Sequence, residues 1–79
     1  MNEPTKPDKA AALAYILRAK SLSLSSDKWM IVGYLAEVEW KTAGLSREVM
    51  GKVREARQGF EKKNVVPDFQ SLMGLVERL

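Results

Sequence analysis

Cysteine and histidine are both absent from this chain of 79 residues. Without cysteine there is no disulfide, no thiolate nucleophile and no cysteine-ligated metal. Without histidine the chain lacks the commonest general base and the commonest metal ligand. No glycine-rich phosphate loop is present, and no serine or lysine has an evident catalytic partner beside it in the sequence. These absences predict a protein that is not an enzyme and uses no metal and no cofactor.

Long apolar runs are absent as well. No stretch reaches the roughly 18 apolar residues that a membrane span needs. The first residues, "MNEPTKPDK", contain no apolar segment of the kind found in signal peptides. We therefore expect a cytoplasmic protein that does not enter a membrane. A chain this short that has no disulfide or structural metal often buries more apolar surface by forming oligomers, and this favours a homodimer.

Net charge is absent over most of the chain and concentrated in one stretch. The formal net charge is +3. Residues 47–63 hold six basic and three acidic side chains, which accounts for the whole excess. A basic stretch of this kind is typical of a solvated surface, a phosphate-binding surface or a site for an acidic protein.

What is present is helical periodicity. The pattern predicts an all-α fold, a single four-helix domain over 1–79 with residues 1–7 flexible. We expect the first helix from about Thr5 to Lys20, with an apolar face comprising Ala10, Leu13, Ala14, Ile16 and Leu17. The second begins at Ser25 or Ser26 and ends at Ala43, where Gly44 adopts a left-handed conformation. The third is capped by Ser46 and ends near Lys63 and Asn64, and the fourth is capped by Asp68.

The second helix carries two apolar faces. One, here called the tryptophan face, comprises Trp29, Val32, Ala36, Trp40 and Ala43. The other comprises Ile31, Leu35, Val38 and Thr42. A helix this apolar is normally buried on more than one side. The sequence therefore predicts a central second helix that forms an antiparallel hairpin with the third. Either the other helices surround it, or one face is an intermolecular seam.

Charged residues near these faces form a second candidate group. Glu39 falls between the two apolar faces, where a carboxylate is costly to bury without a partner. It either reaches water or accepts hydrogen bonds from an arginine of another helix or another chain. Arg47, Arg54 and Arg57 share one flank of the third helix, beside its apolar stripe of Val49, Val53, Ala56 and Phe60.

The turn "TAGLS" between the second and third helices has three interpretations. It can simply connect two antiparallel helices. It can be the turn of a helix-turn-helix motif, although Trp40 stands where that motif has a small residue. Finally, "GLSREVMGKVREA", residues 44–56, resembles the inter-helix turn and second helix of the ribbon-helix-helix repressors, with Gly51, Arg54 and Glu55 where that family has apolar residues. That resemblance implies that the alternating segment "SLSLS", residues 21–25, is a DNA-reading strand.

The combined pattern favours a small regulatory or adaptor protein that binds another protein through an apolar helical seam. The alternative is a DNA-binding regulator that uses the basic third helix or the 21–25 segment. The candidate binding residues are Trp29, Glu39, Trp40, Arg47, Arg54 and Arg57.

Overall fold

The computed structural model describes residues 8–22 and 27–79. The described residues form four α-helices and no strand: α1 (Lys9–Leu22), α2 (Lys28–Ala43), α3 (Arg47–Lys63) and α4 (Phe69–Glu77). The predicted all-α, four-helix fold is therefore confirmed. Residues 1–7, which we expected to be flexible, lie outside the described residues.

Helix α1 begins later and ends later than predicted. The backbone N–H of Ala11 donates to the carboxylate of Asp8 at 3.1 Å, so Asp8 caps the helix. Thr5, the predicted start of the helix, lies outside the described residues. At the other end, Ser21 and Leu22 are helical rather than part of a strand. The remaining residues of the predicted DNA-reading segment, 23–25, are outside the described range.

The buried face of α1 also differs from the predicted one. Ala12, Ile16 and Ala19 are fully buried, whereas Leu17 is half-exposed and Ala10 and Ala14 are exposed. The reason is that apolar residues surround most of this helix. Periodicity alone then does not select the face that packs.

Helix α2 is capped by Asp27, whose carboxylate accepts from the N–H of Met30 at 3.4 Å. The predicted start of the helix, Ser25 or Ser26, lies outside the described residues. The helix ends at Ala43 as predicted, but Gly44 has φ −84° and ψ −7°, so the expected left-handed conformation is wrong. The carbonyl of Thr42 instead accepts from the N–H groups of Leu45 and Ser46, both at 2.9 Å. This closes the turn without a positive φ.

The two ends of α3 are as predicted. The Ser46 hydroxyl accepts from the N–H of Val49 at 3.2 Å. At the C-terminal end Asn64 is left-handed, with φ 56° and ψ 30°. The N–H of Val65 donates to the carbonyl of Gly59 at 3.1 Å, which completes a Schellman-type ending.

Asp68 caps α4 as predicted. Its carboxylate accepts from both the N–H and the hydroxyl of Ser71, at 3.2 and 2.9 Å. The N–H bond, reinforced by the hydroxyl bond, lowers the pKa of Asp68 below its ordinary value of 3.8.

Helix α2 lies at the centre of the fold. It packs against α1 on one side and forms an antiparallel hairpin with α3 on the other, while α4 packs mainly on α1. The start of α1 lies beside the end of α2, where the N–H of Asp8 donates to the carbonyl of Lys41 at 3.2 Å. The apolar core draws on all four helices: Ala12, Ile16, Ala19, Ile31, Leu35, Val38, Val49, Val53, Phe69, Leu72 and Val76.

Candidate protein-interaction face

The two apolar faces of α2 have different environments. Ile31, Leu35, Val38 and Thr42 are all buried in the core. The tryptophan face points outward: Trp29 is 67% exposed and Trp40 is 61% exposed. Of the two interpretations made from the sequence, complete enclosure of α2 by the other helices is therefore wrong. The described residues leave both indoles of the tryptophan face largely uncovered, while its Val32 and Ala36 are half-buried.

Two small residues lie on the line between the two tryptophans, and the half-buried Val32 lies at its edge. Trp29 and Trp40 are eleven residues apart, which places them about three turns, or about 16 Å, apart on the same side of the helix. Gly33, which is exposed, and Ala36, which is half-buried, lie between them. The face is therefore a shallow apolar strip with a large indole at each end.

A groove of about 260 Å³ lies along one edge of the tryptophan face, between α2 and α3. Its apolar lining consists of Ala36, Trp40, Ala43 and Met50. Its polar lining consists of Glu39, Arg54 and Arg57. Four of the six predicted binding residues therefore line this groove: Glu39, Trp40, Arg54 and Arg57.

The charged edge of this groove is an ion-pair cluster. Glu39 is only 7% exposed. Its carboxylate accepts from Nε of Arg54 at 3.0 Å and from Nε of Arg57 through the other oxygen. Arg57 also donates from Nη1 to Glu61 at 2.9 Å. Of the alternatives considered for Glu39, the arginine of another helix is the one observed.

The electrostatics of the cluster hold Arg57 in its charged form. The hydrogen bond to Glu39, together with the negative charges of Glu39 and Glu61, raises the pKa of Arg57 despite its partial burial. Two arginines and two glutamates take part, so the cluster is neutral. Both arginines are paired with glutamate within the molecule, although the side chain of Arg54 is also exposed to solvent.

The remaining candidates occupy different surroundings. Trp29 lies at the far end of the tryptophan face, beside Lys28, whose ammonium is 5.9 Å from the indole centroid. Arg47 is exposed at the start of α3 and does not line the groove. The predicted arginine flank is thus divided, because Arg54 and Arg57 face Glu39 and Arg47 does not join them.

Sequence reasoning missed three residues of this surface. Met50 lines the groove, and Gly33 lies within the apolar strip. Lys28 links α2 to α3, because its ammonium donates to the carbonyl of Glu61 at 3.0 Å and to the amide oxygen of Asn64 at 2.7 Å. A hairpin that turns at 44–46 brings position 39 level with about position 51. This geometry could have indicated both Met50 and the Arg54 partner.

The described part of the chain was also compared with the requirements of a metal site and of a membrane span. Its residues contain no group of three or more acidic side chains arranged to hold a metal ion. None of its helices combines the length and apolar character required to cross a membrane. Comparison with known proteins gives no match to a family model, a curated sequence or a solved structure.

Proposed function

We propose that this protein is a non-enzymatic regulatory or adaptor protein, which acts in the cytoplasm by binding an α-helix of a protein through the tryptophan face. The observation that carries this proposal is the exposure of both tryptophans on one side of α2. Tryptophan is enriched in protein interfaces, where its large apolar surface makes it a frequent binding hot spot. An exposed apolar strip is costly in solution unless a partner covers it.

The shape of the surface favours a helix as the bound element. A shallow strip about 16 Å long matches three turns of a helix with its apolar residues at i, i+4 and i+7. The groove between α2 and α3 adds Ala43 and Met50 to the same surface. The neutral ion-pair cluster beside it suits a polar rim.

The chemistry of the buried groups favours binding over catalysis. Glu39 is the only buried carboxylate among the described residues, and two arginines already hold it. It is therefore poorly suited to act as a general base, which must accept a proton from a substrate. The DNA-binding alternative is weakened by the same contacts, since Arg54 and Arg57 are paired with Glu39.

A capture experiment with matched variants tests the proposal. The wild type, the double variant Trp29→Ala/Trp40→Ala and the control Val65→Ala/Val66→Ala are used as baits in extract from the native cell, treated with nuclease. Val65 and Val66 are 58% and 63% exposed, so the control removes comparably exposed apolar residues elsewhere. We expect a bound protein that the wild type and the control retain at high salt and the tryptophan variant loses.

Two results would contradict the proposal. Binding by all three baits would exclude the tryptophan face as the interface. Tight, sequence-selective binding of duplex DNA that weakens steeply with salt would establish the DNA-binding alternative instead. Changing Arg47, Arg54 and Arg57 together to alanine is unsuitable for this comparison, because it would leave Glu39 buried without a partner.

A further inference from the structure

We infer that the helix bound by the tryptophan face is α2 of a second copy of this chain, packed antiparallel, with Trp29 level with Trp40 of the second copy and Gly33 level with its Ala36. This inference rests on the proposed function and specifies its partner. It follows from the symmetry of the exposed strip, the emptiness around Gly33 and the neutrality of the adjacent charges.

The strip has the same order of large and small residues when it is reversed. Trp29 and Trp40 have the same midpoint in the sequence as Gly33 and Ala36. When two antiparallel α2 helices meet at that midpoint, each large residue lies opposite a large one and each small residue opposite a small one. A two-fold axis then relates the copies, as in most protein dimers.

The spacing of the strip is that of a coiled-coil seam. Residues 29, 33, 36, 40 and 43 are separated by four, three, four and three positions. This alternation keeps one line of residues facing a partner helix. With Gly33 and Ala36 at the crossing point, the two helix axes can approach to about 8 Å, the close end of the usual range.

Gly33 has no evident role in the monomer. It lies in the middle of α2, where glycine costs about 1 kcal/mol relative to alanine. A Cβ added at this position would meet nothing within 4 Å, and its φ is not positive. Neither packing nor backbone conformation within one chain therefore requires glycine here. Close approach of a second helix would favour a small residue at this position.

Charge and area are compatible with two copies meeting. The ion-pair cluster nearest the strip is neutral, so the approach of a second cluster does not bring unbalanced charge together. Four indoles, each burying on the order of 150 Å², supply more than half of the roughly 1,000 Å² that a specific interface needs. The small residues of the strip and Met50 adjoin the indoles and add to this area.

Sedimentation equilibrium and cysteine pairing together test this inference. We expect the wild type to change from a monomer of 8.9 kDa to a dimer over the micromolar range, and the Trp29→Ala/Trp40→Ala variant to remain a monomer. Because the chain has no cysteine, single-cysteine variants report the register directly. Mixing Gly33→Cys with Ala36→Cys under mild oxidation should give mainly the mixed disulfide, with little from either variant alone.

Each other outcome has a defined meaning. Disulfides formed mainly by each variant alone would show parallel helices and overturn the inference. A wild-type dimer that survives the tryptophan substitutions would show a different interface and overturn it as well. A wild-type monomer throughout, combined with tryptophan-dependent capture of another protein, would overturn the inference and leave the proposed function standing.

Discussion

Glu39 illustrates how one residue fixes the relation between two helices. Its carboxylate is buried between α2 and α3 and bonded to both Arg54 and Arg57. Burying a carboxylate is tolerable only with such partners. The side chain of Arg54 is 52% exposed, whereas that of Arg57 is 21% exposed. The bond to Arg57 is therefore the less screened of the two and contributes more to the cluster.

The substitution Glu39→Gln tests this cluster. It preserves the shape of the side chain but leaves Arg57 without its main countercharge. We expect the free energy of unfolding to fall by about 2 kcal/mol, less than a fully buried pair would lose because both arginines reach solvent. Urea denaturation measures the change.

Glu37→Gln is the matched control, because Glu37 is exposed on the same helix. We expect its effect to stay within about 0.5 kcal/mol, as for most surface substitutions. Equal effects of the two substitutions would show that Glu39 is solvated and that the cluster does not join α2 to α3.

At the scale of helices and turns, prediction succeeds where the local sequence pattern is unambiguous and fails where it is not. The caps at Ser46 and Asp68 were predicted because each is a short polar residue directly before an apolar pattern. The core stripe of α3 was predicted because charged residues occupy its other sides. In α1 apolar residues lie on several sides, and the face chosen from periodicity is correct only at Leu13 and Ile16.

The candidate site was predictable only in part. The two tryptophans share a face by simple helical spacing, so their proximity on α2 follows from sequence. Which of the two faces of α2 turns outward depends on how α1 and α3 pack, and no local pattern encodes that. The pairing of Glu39 with Arg54 and Arg57 joins residues far apart in the chain and depends on the hairpin.

Gly44 and Asn64 provide a paired prediction about helix ends. Gly44 has a negative φ, so Gly44→Ala introduces no backbone strain and should leave stability unchanged or raise it by up to about 1 kcal/mol. Asn64 is left-handed, and its amide oxygen accepts from Lys28. Asn64→Ala should therefore destabilise by about 1 kcal/mol or more.

Thermal unfolding of the two variants beside the wild type checks both expectations. Asn64→Gly separates the two causes, because glycine relieves the strain and still lacks the amide. A destabilising Gly44→Ala would mean that Gly44 is left-handed in solution, as the sequence alone suggests.

At the scale of the whole molecule, a small core and an exposed apolar face belong together. Seventy-nine residues bury limited apolar surface, and the largest aromatic side chains of this chain lie outside the core. In the proposed dimer these side chains become interior. Association then adds stability that the monomer lacks, and the stability must depend on protein concentration.

Replacement of Gly33 by leucine tests this dependence, with Gly51→Leu as its control. Both glycines lie inside helices and have nothing within 4 Å of an added Cβ, so leucine should stabilise each helix by up to about 1 kcal/mol. At Gly33 the added side chain also blocks the second copy. We expect the melting temperature of the wild type and of Gly51→Leu to rise with protein concentration, and that of Gly33→Leu to stay constant.

Gly33→Leu should consequently be more stable than the wild type in dilute solution and lose that advantage at high protein concentration. Identical concentration dependence in the two variants would show that Gly33 does not lie in an interface.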